Sequence, residues 1–105
     1  MIVPPARCGP VLRAVRRARH EFQPAVADRG GMNRAKVAQV ELGQNKAQSA
    51  KVRAGLAAGF MVDRETIDAL FDGRLSVVAA AAAFSVPVSV IAAAVEAPAQ
   101  EAVSP

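Results

Sequence analysis

The chemistry open to this chain of 105 residues is carried by its cations more than by any nucleophile or base. Cys8 is the single cysteine and His20 the single histidine. One thiol forms neither an intramolecular disulfide nor a cysteine-based zinc site, and it fits a reducing compartment. His20 stands between Arg19 and Glu21, the setting of a surface residue rather than of a ligand or general base. No phosphate-cradling loop, nucleophile with its base, or metal-ligand spacing occurs, so the sequence predicts no enzyme, no catalytic residue, no metal and no cofactor. The charges are placed unevenly. Met1 to Arg53 holds eleven Lys/Arg against three acids, a net of +8, whereas Ala54 to Pro105 holds two Arg against six acids, a net of −4. Such a basic half suits a polyanion, either nucleic acid or a phospholipid surface, with a merely solvated basic face as the alternative.

The elements that position these cations are helical. Ala and Val dominate, Trp and Tyr are absent and only four Phe are available, which favours an all-α fold with small contact faces. Residues 1–9, with two early prolines, read as a flexible N-terminal lead. A domain of five helices then occupies 10–75. "PVLRAVRRARH" sets Val11, Leu12, Val15 and Ala18 on one side of helix one. "FQPAVADRG" tolerates Pro24 in a first turn, buries Val26 and Ala27, and stops at Gly30-Gly31. Asn33 caps helix three, Arg34 to Leu42, which ends at Gly43. Ser49 caps helix four, with Val52, Leu56 and Phe60 inward. Asp63 caps helix five, where Ile67, Leu70 and Phe71 face the core and Gly73 closes the run. Residues 76–95 form an apolar helical tail, a dimerising or core-covering segment, and 96–105 read as a disordered C-terminus.

Within the basic half, "AVADRGGMNRAKVAQVELG" is particular about its small residues. Two helices meeting steeply through a short turn need a small residue at the near contact, a backbone able to reverse, and apolar anchors beyond. Ala27 would give the close approach, Gly31 the turn, Met32 a plug in the elbow, and Val37 with Val40 the buried face of helix three. The longer stretch "QPAVADRGGMNRAKVAQVELGQ" resembles the helix-turn-helix of the Cro and phage-repressor (XRE-type) transcriptional regulators. Gln23, Val26, Ala27, Gly31, Met32, Asn33, Val37, Val40, Glu41 and Gly43 match that pattern without a gap. Three residues depart from it: Phe22 where Ser or Thr is usual, Glu21 where an apolar residue is common, and Pro24 within helix two.

The resemblance implies a sequence-specific, double-stranded DNA-binding regulator, cytoplasmic and nucleoid-associated, with helix three in the major groove. Arg34, Ala35, Lys36 and Gln39 would then read base edges: Arg grips guanine, Gln grips adenine, and Ala meets a thymine methyl. Gln23, Gln44, Asn45 and Lys46 would hold the sugar-phosphate backbone, and Arg13 and Arg17 would add positive field. The resemblance also implies that Arg16 of helix one pairs with Glu41, so both count as structural. A homodimer is expected, because one short helix reads only a half-site. Two alternatives stay open: an antitoxin that binds operator and toxin alike, and a DNA-binding domain tethered to a membrane by the uncharged run Leu75 to Val95.

Overall fold

The computed structural model describes residues 1–43 and 49–96, and among them it is all-helical apart from one isolated bridge. A 3-10 turn, Pro5–Arg7, leads into α1 (Cys8–Ala18); α2 (Gln23–Gly30), α3 (Arg34–Glu41), α4 (Ala50–Phe60), α5 (Arg64–Phe71), α6 (Val77–Phe84) and α7 (Val88–Glu96) follow. The starts follow local chemistry. Asn33 Oδ1 accepts from the Lys36 amide at 2.8 Å, Ser49 Oγ from Val52 at 3.2 Å, and Ser76 Oγ from Ala79 at 3.0 Å. Asp63 stands at the N-cap of α5 but its side chain makes no capping bond, so its expected role is positional only.

Four of the helix junctions among the described residues use one device. α1, α2, α4 and α6 each run into a left-handed residue, respectively His20, Gly31, Met61 and Ser85. The amide of the next residue then reaches back to a carbonyl of the preceding turn: Glu21 to Arg16 at 3.0 Å, Met32 to Ala27 at 2.9 Å, Val62 to Ala57 at 2.9 Å, and Val86 to Ala81 at 3.0 Å. The next helix begins three residues after the left-handed one, and the residue six after it (Val26, Val37, Ile67 or Ile91) is wholly buried. Met32, Val62 and Val86 plug the elbows against the core, while Glu21 fills that place in the first corner and pairs instead with Arg29, Oε2 to Nη2 at 2.7 Å.

Gly31 serves this turn through its φ of 65° alone, for a Cβ there would meet nothing within 4 Å. No neighbour, Ala27 included, crowds Gly31. The close approach lies one residue earlier, where Gly30 of α2 presses on Gly55 of α4: a Cβ on Gly30 would collide with the Gly55 carbonyl, and one on Gly55 would fall 2.9 Å from the Gly30 oxygen. Small residues thus bring α2 against α4, its main neighbour.

At the two ends, one expectation is corrected and one choice is decided. Residues 1–9 are not a flexible lead. The Val3 amide donates to the Leu75 carbonyl at 2.9 Å and the Val77 amide to the Met1 carbonyl at 2.8 Å, Ile2 bridges Ser76 antiparallel, and Val3 is fully buried. An apolar side chain beside an open backbone edge was sufficient to dock the segment. Of the two roles expected for 76–95, dimerising or core-covering, the structure shows the core-covering one. Ser85 divides it into α6 and α7, Val77, Ala80, Phe84, Ile91 and Ala94 join the common core, and α7 packs along α1. No helix among the described residues is long and apolar enough to cross a membrane. Glu96 closes α7, and residues 97–105 lie outside the described residues.

Two arginines lock the corners together. The Arg19 guanidinium donates to the Phe60 carbonyl at 2.6 Å and to the Phe84 carbonyl at 2.7 Å, joining the C-termini of α4 and α6, whose Phe60 and Phe84 rings meet edge to face at 6.1 Å. Arg29 donates to the Gly59 carbonyl at 2.8 Å.

Left-handed strain at exposed Met61 predicts that Met61→Gly raises stability by about 0.5–1 kcal/mol, after allowance for the looser unfolded chain. Gly30→Ala should instead lower it by about 1–3 kcal/mol, as overpacking does. Urea unfolding of both variants checks the opposite signs.

Candidate nucleic-acid interface

The left-handed corner at Gly31 delivers α3 with one face buried and the other outward. Val37 and Val40 enter the core, while Arg34, Ala35 and Gln39 are exposed and Lys36 is half-buried. Lys36 is thus less free than Arg34, although its backbone amide is what Asn33 caps. Neither cation has a carboxylate partner among the described residues. The single acid of α3, Glu41, is turned inward and neutralised there.

That neutralisation is bidentate. Arg16 Nε lies 2.7 Å from Glu41 Oε2 and Arg16 Nη2 lies 3.0 Å from Oε1, the side chains being 11% and 3% exposed. Arg16 Nη1 also donates to the Glu21 carbonyl at 2.9 Å, so one guanidinium ties the first corner to the end of α3. Gln23 Nε2 donates to the same Glu41 oxygen at 3.1 Å. Gln23, expected to face a polyanion backbone, is thereby half-buried, with one amide hydrogen committed to holding α2 against α3. Gln44, Asn45 and Lys46, the remaining candidates for that role, lie outside the described residues.

Arg16, Gln23 and Arg34 line an open groove together with Phe22 and Pro24. At the α2 end of this groove two of the first three backbone positions offer no donor. Pro24 has no N–H, the Ala25 amide is taken by the Phe22 carbonyl at 3.1 Å, and the Phe22 side chain makes no cap. Phe22 and Pro24 stand out in the sequence as departures from the helix-turn-helix pattern, but the groove they form with Arg34 arises from the turn of the chain at Gly31 and carries no local signature.

The corresponding helix of the next corner is electrostatically opposite. On α5, Arg64 Nε meets Asp68 at 3.1 Å, and Arg53 reaches Asp68 at 3.0 Å and Asp72 at 3.1 Å while its guanidinium lies 5.6 Å from the Phe71 ring centre. Hydrogen bonds from Arg53 hold both carboxyls below the usual carboxylate range. The geometry of α3 therefore recurs in α5, but an unpaired cationic end does not.

Cys8 takes no part in this surface. Its thiol donates to the Leu70 carbonyl at 3.0 Å within the core, and burial pushes its pKa up to about 12. Alkylation by iodoacetamide at pH 8 should accordingly run at least about a hundredfold more slowly in the folded protein than in urea, since the thiolate is the reactive form. Removing Glu41 leaves Arg16 and Gln23 unpaired, so Glu41→Ala should cost on the order of 3 kcal/mol, whereas Arg64→Ala at the exposed α5 pair should cost less than about 1 kcal/mol. Chemical denaturation of the two variants measures the difference.

No protein-family description, curated protein or solved structure matches this chain, so the interface stands on its own geometry.

Proposed function

We propose that this protein is a sequence-specific, double-stranded DNA-binding transcriptional regulator that lays α3 in the major groove. The observation that carries the reading is the pair Arg34 and Lys36 at the start of α3, without a carboxylate partner among the described residues, on a helix whose one acid is buried against Arg16. Arg34 and Ala35 are exposed at the end of the helix that would enter the groove first, where a guanidinium can bridge guanine O6 and N7 and a methyl group can meet thymine. The resemblance of residues 23–43 to XRE-type regulators supports the same reading. Exposed Arg13 and Arg17 on α1 add attraction without sequence information.

A homodimer belongs to this proposal, because a helix of eight residues covers only one half-site. The apolar run that motivated a membrane tether is instead spent on the core, which favours the DNA reading over that alternative.

Fluorescence anisotropy against a random duplex pool should detect binding at low salt that weakens steeply as salt rises, because each phosphate contact releases counterions. On a duplex selected from that pool, Arg34→Ala should cost about 1–3 kcal/mol and relax preference at one base pair, with a smaller loss on a scrambled duplex. Absence of binding at low salt would overturn the regulator reading. Equal losses on both duplexes would move Arg34 from the bases to the backbone.

A further inference from the structure

We infer that Phe22 is a base-contacting residue, placing its ring against a thymine 5-methyl group beside the base pair that Arg34 reads. The inference rests on the DNA-binding reading above and adds to it a residue and a ligand group.

Among the described residues, neither a packing nor a capping role falls to the Phe22 side chain. Of the four phenylalanines, Phe60 and Phe84 pack edge to face in the core and Phe71 lies against the Arg53 guanidinium, while Phe22 is 78% exposed. Phe22 stands at the N-cap of α2 without making a capping bond, although Ser, Thr, Asp or Asn would accept from the first turn and strengthen the helix. Asn33, at the same place in the next corner, does so. The ring is too far out to plug the elbow, which Glu21 fills with its bond to Arg29. An exposed aromatic that neither caps nor packs costs something in helix stability and solubility.

Its surroundings select the occupant. Phe22 shares an open groove with Arg34 and Arg16, and Arg34 has no acid partner among the described residues. Positive charge beside an apolar ring fits the major-groove edge of DNA, where phosphates and guanine acceptors lie close to the one apolar group on the bases, the thymine methyl. Backbone capture by the first turn of α2 falls to the Gln23 amide, since Pro24 brings no N–H and the Ala25 amide is already bonded. The Phe22 ring thus adds to such a backbone contact one that carries sequence information.

The test is a cycle between one side chain and one methyl group. A duplex of about 20 base pairs, selected from a random pool by the wild-type protein, is compared with copies in which each thymine in turn is replaced by deoxyuridine. At one position the wild type should lose about fourfold in affinity, the value expected for one buried methyl. Phe22→Ala should bind the parent duplex about tenfold more weakly and show no further loss at that same position. Its thermal unfolding should match wild type, because the ring is exposed. If every deoxyuridine duplex binds the wild type like the parent, or if Phe22→Ala keeps the fourfold loss, the thymine assignment is overturned while DNA binding stands. If the wild type binds no duplex at all, the regulator reading falls and takes this inference with it.

Discussion

A left-handed residue that closes one helix and starts the next three positions later is the constraint from which the remaining structure follows. By bonding the amide after it to a carbonyl one turn back, each corner fixes how far the chain has rotated when the next helix begins. The buried residue six positions on is then aimed inward regardless of its neighbours, and Val26, Val37, Ile67 and Ile91 meet in one core. His20, Met61 and Ser85 accept this conformation without being glycine, which indicates that packing on both sides of each corner outweighs a backbone cost of about 1 kcal/mol. Arg19 then makes two of these corners neighbours by binding both of their final carbonyls.

The cations divide according to this frame. Arg16, Arg19, Arg29 and Arg53 are spent on helix ends and carboxylates inside the fold, so the basic half of the sequence presents less free charge than its count implies. Because Arg16 neutralises Glu41, the positive field of α3 comes from its first turn, next to the groove that holds Phe22. The same pair therefore supports the packing of α3 and sharpens the polarity of its surface.

Legibility in the sequence followed the range of the physical signal. Asn33, Ser49, Gly31 and Gly43 act on their own turns, so their positions in the helix pattern could be read directly. The recurrence of the corner was also present, as Ala27, Ala57 and Ala81 each four residues before the left-handed residue, but the side chains between them differ too much for the repeat to stand out. Contacts between distant segments left no such mark. The docking of Val3 at Leu75, the pressing of Gly30 on Gly55 and the grip of Arg19 on Phe84 depend on how whole helices assemble. Gln23 illustrates the limit within a single motif: its place was legible, whereas its bond to Glu41 required the Arg16 side to be assembled first.

The pairing of α1 with α7 has a consequence for how the protein is made. The chain emerges from the ribosome N-terminus first, so the apolar side of α1, with Val11, Leu12 and Val15, is made before α7 with Ile91 and Ala94, which shares its core. The N-terminal residues likewise wait for Leu75 and Val77 before their backbone groups are satisfied. Until α7 has emerged, a nascent chain carries an uncovered stripe along α1 that chaperones and proteases can recognise.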